Sequence, residues 1–195
     1  FGSVPGEFGK QYTYPTEANL DYLLEKGFIL VRLPFKWERM QYQLSQELDS
    51  EELQRLVQFM QAVEEREMQV ILDLHNYARR KIGNESFVIG TEKVTVTDLA
   101  DFWKGLAIEM KPFSKNIYGY ALMNEPYDLK SASEWFKMAQ SSIYSIREVD
   151  NETTIIVGGN DWSSAERWMS QSDTLKYLYD PGDNLIFEAH VYFDN

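Results

Sequence analysis

Ile117-Tyr118-Gly119-Tyr120-Ala121-Leu122-Met123-Asn124-Glu125-Pro126 is apolar and aromatic as far as Met123, then delivers an amide and a carboxylic acid before a proline stops it. The run Ile117–Asn124 therefore reads as a short buried strand with its polar chemistry at the C-terminal end. Working outward, Phe28–Pro34, Gln69–Asn76, Thr153–Gly159 and Asn184–Tyr192 have the same build. Amphipathic stretches lie between them: Thr16–Lys26, Asp49–Arg66, Thr97–Met110, Ser131–Glu148 and Ser163–Ser170. In Asp49–Arg66, residues Leu53, Leu56, Val57, Met60 and Val63 recur at the spacing of one buried helical stripe. Asp49-Ser50 before Glu52, Thr97-Asp98, and Ser131 with Glu134 are the expected helix starts. The alternation of strand and helix is that of βα units feeding a parallel sheet.

Such units build either an open doubly wound sheet or a closed (β/α)8 barrel. A doubly wound nucleotide fold places a glycine-rich loop after its first strand, and none follows Phe28–Pro34. Instead the strand ends carry Arg32, His75-Asn76, Asn124-Glu125, Asn160-Asp161-Trp162 and His190-Val191-Tyr192. A barrel gathers all of these on one rim, which predicts the α/β barrel class. A whole barrel needs about 250 residues and eight strands. The 195 residues show five, so the chain is expected to be a partial barrel, one domain over residues 1–195.

Composition narrows the function. With 44% hydrophobic and 14% aromatic residues the chain can bury a substantial core. A net charge of −12 argues against a nucleic-acid partner. No apolar run approaches the roughly 20 residues of a membrane span, so no membrane association is expected. The absence of cysteine excludes disulfides, thiolate nucleophiles and Cys-zinc sites. Residue 1 is Phe rather than Met, which leaves room for a leader that was removed or is not included.

Met123-Asn124-Glu125-Pro126 suits proton transfer by a general acid, and taken by itself fits equally a Glu that caps the following loop. The wider context decides between them. Gly119 to Asp128 resembles the acid/base segment of glycoside hydrolase family 5, and other segments agree in the family's order. These are Val31-Arg32-Leu33-Pro34-Phe35 with Trp37-Glu38-Arg39, then Ile71 to Arg79, then Gly159-Asn160-Asp161-Trp162, then Phe187 to Asp194. The last two are most similar to the endo-β-1,4-glucanase branch. Ala121 and Tyr127 depart from the family's usual residues at their positions.

The resemblance implies a retaining glycosidase acting on internal β-1,4-glucosidic bonds of cellulose or related β-glucans, with Glu125 as general acid/base. A β-mannanase or another family 5 β-glycanase is the neighbouring alternative. The nucleophilic Glu belongs on the seventh strand, beyond Asn195, and Phe1-Gly2 would be the tail of the first. The chain would then cover strands two to six, and by itself is expected to be inactive. Gly6-Glu7-Phe8-Gly9 imitates the nucleophile segment, but no apolar strand precedes it. A catalytically silent or glycan-binding remnant is the rival of a different class. A metal-dependent barrel hydrolase using Asp73, His75, Glu125 and His190 is disfavoured by the scarcity of histidine. No cofactor or metal is implied, and the family resemblance implies a secreted, monomeric parent.

The other rim residues take roles by their chemistry. Arg32 can orient a carboxylate, and Tyr192 can donate to the nucleophile. His75 and His190, the 2 histidines of the chain, both fall at strand ends and suit donors to sugar or carboxylate, with Asn76 counted beside them. Asn124 is placed for the sugar 2-OH. Trp162 is the leading stacking platform, followed by Trp37 and Tyr77, whereas Trp103, Trp135 and Trp168 belong to helical patterns and to packing.

Overall fold

The computed structural model describes residues 4–193. The expectations for Phe1-Gly2 and for Asp194 lie outside them. The order of elements is α1 (Glu17–Glu25), β1 (Leu30–Phe35), α2 (Trp37–Met40), α3 (Ser50–Glu65), β2 (Gln69–Leu74), β3 (Arg79–Ile82), β4 (Glu85–Val88), α4 (Val96–Met110), β5 (Ile117–Ala121), α5 (Ala132–Arg147), β6 (Thr154–Gly158), α6 (Trp168–Gln171) and β7 (Leu185–Glu188). Among the described residues no helix is long and apolar enough to cross a membrane.

Five strands form one sheet in the order β1-β2-β5-β6-β7, all parallel. Each new strand is added on the same side of the last, without the reversal that defines a doubly wound sheet. Successive crossovers therefore place their helices on one face, as in a barrel wall. The period of two along each strand does the sorting. Leu33, Phe35, Val70, Leu72, Leu74, Tyr120, Ile155 and Val157 are buried on the helix side. The register places Arg32 opposite Ile71, Asp73 opposite Ala121, Ile156 opposite Ile186 and Gly158 opposite Glu188 on the other face.

Large aromatic side chains fasten the helices to the strand ends. The Trp103 indole of α4 donates to Leu122 O at 3.3 Å, and that of Trp135 in α5 donates to Gly158 O at 2.7 Å. Both residues are packed in the core, as their helical spacing predicts. Asp49 caps α3 by accepting from Glu52 N at 2.8 Å.

Several local expectations are corrected. The α4 cap is Thr95, not Thr97, in a reciprocal pair with Asp98. Residues 163–170 do not form a helix: Ser163 O and Ala165 N bond to His190 N and O, so the backbone is engaged across to the end of β7, and only Trp168–Gln171 is helical. The last strand stops at Glu188 rather than Tyr192 for the same reason. The antiparallel hairpin β3-β4, inserted after β2, was not expected.

Candidate active site

Seven of the non-glycine residues held at positive φ lie in the loops that leave β2, β5 and β6: Tyr77, Ala78, Glu125, Asp128, Asp161, Trp162 and Ser163. Left-handed backbone is costly for such residues and persists only where surroundings enforce it, which is typical of functional rims. Glu125 itself has φ 45°. Its loop is clamped to the next one by Trp162 N donating to Pro126 O at 3.0 Å.

One polar network runs along this rim. Glu125 Oε1 lies 2.6 Å from His190 Nδ1 and accepts from the Tyr192 hydroxyl at 2.9 Å. His190 Nε2 lies 2.7 Å from Glu188 Oε1. Glu188 Oε1 also sits 3.1 Å from Arg32 Nη2, which donates to Asn124 Oδ1 at 2.9 Å and lies 3.3 Å from Asp73 Oδ2. Asp73 Oδ2 holds His75 Nδ1 at 2.8 Å, and His75 Nε2 meets the Tyr77 hydroxyl at 2.9 Å. The geometry thus joins Arg32, His75, Asn124, Glu125, His190 and Tyr192 in one connected site.

The environment sets the protonation of two members. Burial pushes the His190 imidazole toward its neutral form, but the hydrogen bonds to Glu188 and Glu125 prevail and raise its pKa above that of an ordinary histidine. Burial, reinforced by the Glu125 and Asp73 charges, raises the Tyr77 phenol, which keeps it a donor. Arg32 engages the side-chain oxygen of the buried Asn124.

Trp162 is 41% exposed, with its ring on the rim. It lines a cavity of about 260 Å³ together with Arg167, His190 and Tyr192. Larger cavities lie elsewhere, one of them at the opposite ends of the strands beside Gln69, Ile117 and Thr154.

Two substrate-contact expectations fail. Asn76 is buried and its amide is consumed internally: Oδ1 accepts from Trp37 N, while Nδ2 donates to Glu38 Oε2 and Arg79 O. Trp37 is fully buried against Phe102, and its indole N–H donates to Gln41, so it is core rather than a sugar platform. The Tyr192 hydroxyl donates to Glu125. Glu7 is a surface residue paired with Lys10 at 2.7 Å. The sequence reading missed Glu188, although Glu188, His190 and Tyr192 alternate at the spacing of one strand face. It also gave Asp73 no role at the sugar site. Among the described residues no group of three or more His, Asp or Glu is placed to hold a metal ion.

Parallel strands added in order, helices on one face and a carboxylic acid at the C-terminal rim define part of a (β/α)8 barrel seen at its catalytic end. The chain belongs to the Cellulase family, glycosyl hydrolase family 5, whose family model matches residues 2–195. It is similar to endo-beta-1,4-glucanase A of Emericella nidulans, 31% identical over 196 residues, which covers 100% of this chain and 57% of that protein. Endoglucanase Cel5A of Pseudomonas stutzeri superposes with a TM-score of 0.89 at 36% identity, covering 99% of this chain and 58% of that one. XacCel5A, solved in complex with cellopentaose, gives 0.89 at 38% identity, with 98% and 61% covered. The chain spans somewhat over half the length of these relatives.

Proposed function

We propose that the whole protein is a retaining glycosidase that cleaves internal β-1,4-glucosidic bonds of cellulose or a related β-glucan. The observation that carries this reading is the setting of Glu125. Its Oε1 is held by His190 and Tyr192, and Oε2 has no hydrogen-bond partner among the described residues. One oxygen is anchored, and the other is left for a substrate.

In the first half-reaction Glu125 protonates the departing glycosidic oxygen while a second Glu attacks the anomeric carbon. In the second, Glu125 takes a proton from water, which displaces the enzyme. We place the nucleophile in the part of the protein that this chain does not span. Arg32 fits a role in orienting that carboxylate, Asn124 fits the 2-OH, and Trp162 offers an apolar ring to a pyranose face. Similarity to a protein that binds cellopentaose supports the choice of glucan. An insoluble polymer cannot enter a cell, so this substrate implies action outside it.

Proton NMR of the first product anomer tests the mechanism, with β-glucan and β-mannan as parallel substrates. Retention on glucan is expected. Inversion overturns the mechanism, and preferential mannan cleavage overturns the substrate.

A further inference from the structure

Glu188 ends β7, two residues before His190, and the mechanism above does not use it. Its Oε1 is 2.7 Å from His190 Nε2, while the opposite ring nitrogen, Nδ1, is 2.6 Å from Glu125 Oε1. The imidazole stands between the two carboxylates, one at each nitrogen. Glu188 therefore does not face the same anomeric carbon as Glu125, which excludes it as the second member of a retaining pair. Resting on the glycosidase reading of Glu125, we propose that Glu188 is a positioning residue that holds His190 as a doubly donating imidazolium directed at Glu125.

An ionised carboxylate only accepts, so Glu188 requires a proton on Nε2. Oε1 of Glu125 also receives the Tyr192 hydroxyl, which suits an acid whose transferable proton is on Oε2 and whose Oε1 acts as acceptor. The Nδ1 position must then donate as well, and both ring nitrogens carry protons. As the Oε2 proton passes to the glycosidic oxygen, negative charge appears on Glu125, and a cation already in place meets it. When water later returns a proton to Oε2, the imidazolium remains unchanged, so it serves both half-reactions without being consumed.

The surrounding charges are mixed. Arg32 from β1 lies 3.1 Å from Glu188 and opposes protonation of His190. Asp73 from β2 partly offsets Arg32. In the loop after β6, Glu166 and Arg167 line the same cavity as His190, and Arg167 is neutralised by Asp161 at 2.9 Å. The Tyr77 phenol is held neutral by burial and the nearby carboxylates, and the Tyr192 hydroxyl donates to Glu125. Glu188 is the standing anion in direct contact with the ring, Glu125 joins it once its proton has left, and the hydrogen bonds to both prevail in raising the pKa of His190.

The test compares pH profiles of kcat/KM on a soluble β-glucan for the whole protein, Glu188→Gln and Glu188→Asp, with the His190 ring followed by NMR. Gln keeps the shape and a hydrogen bond but removes the charge. It is expected to lose about tenfold more activity at pH 8 than at pH 5, with the His190 midpoint moved to lower pH. Asp keeps the charge and should keep the profile at a reduced rate. A Gln variant weakened equally at every pH, with the His190 midpoint unmoved, overturns the proposal. A wild type without Glu125-dependent hydrolysis overturns the glycosidase reading and the catalytic use of Glu188 together; the NMR midpoint still shows whether the two side chains are coupled.

Discussion

The Trp162 indole lies flat on the ring of Tyr127, with centroids 3.8 Å apart and planes 9° from parallel. The Arg79 guanidinium lies 3.7 Å from the centroid of the Tyr127 ring and donates to Tyr127 O at 2.7 Å. Flat groups from β3 and from the loops after β5 and β6 are thus joined, and Tyr127 backs the Trp162 ring that we propose as a sugar platform.

Tyr127→Ala should therefore loosen Trp162 without touching Glu125. An aromatic pair contributes about 0.5–1.5 kcal/mol beyond its burial. KM for a soluble cello-oligosaccharide is expected to rise about two- to tenfold with kcat nearly unchanged, while Tyr127→Phe stays close to wild type. An unaltered KM in the alanine variant would show that Trp162 does not need its backing.

Glu125→Gln in the whole protein should remove most activity on cellulose, about 10²–10⁴-fold, because an amide cannot protonate a poor leaving group. Aryl glycosides with good leaving groups should suffer less in the first step, though deglycosylation also slows without a base. Steady-state rates on both substrate types give the ratio. Equal wild-type and variant rates on cellulose would remove Glu125 from the mechanism.

The barrel was legible because its strand ends are polar in every case: Arg32, His75, Asn124 and His190 come together as their positions after apolar runs predict. What was lost was side-chain direction beyond the strand ends. Asn76 follows His75 in sequence but turns inward, because Trp37 N and Glu38 need its amide. No spacing rule shows that. The hairpin was hidden by charge: Arg79-Arg80-Lys81-Ile82 has no apolar alternation, and the readable sign was Gly83-Asn84, a two-residue turn with Gly83 at φ 60°. Glu188 gave no sign of its own in the sequence, because a lone acidic residue at the end of an apolar run reads equally as a solvated strand end; its contact with His190 appears only in the fold.

Asp180 is expected to govern acid stability. It accepts from Arg147 Nε at 2.6 Å and Nη2 at 2.8 Å, and from Gly182 N and Asn184 N, in a buried pair just ahead of β7. Burial works to raise its pKa, but the hydrogen bonds from Arg147, Asn184 and Gly182 outweigh it, and the folded value lies below the ordinary one. For a depressed carboxylate the stabilisation is complete above the unfolded pKa of about 4 and is lost as pH falls through the folded value. Asp180→Asn leaves Arg147 charged and buried, which should cost about 3–5 kcal/mol near neutrality and flatten the decline below pH of about 4. Thermal melts across that range decide it; a variant as steep in acid as wild type would assign the loss to other carboxylates.

Gly158, at the end of β6, is expected to tie stability to activity. A Cβ there would lie 2.9 Å from Ser163 Oγ and 3.0 Å from Met123 O. Met123 leads directly into Asn124-Glu125, and Ser163 O accepts from His190 N at 2.7 Å, so the intruding methyl group separates two loops that carry the site. Backbone oxygen cannot swing aside as a flexible side chain can. Gly158→Ala should cost about 1–3 kcal/mol by overpacking. In the whole protein it should also lower kcat/KM at temperatures well below its melting point, since Glu125 and His190 move relative to each other. Gly105 supplies the contrast: it lies inside α4 with nothing within 4 Å of an added Cβ. Gly105→Ala should gain about 0.5–1 kcal/mol from helix propensity and leave activity alone. Melting curves with kinetics on both variants form the measurement, and a Gly158→Ala protein as stable and active as wild type would show that the two loops are not held at the spacing described.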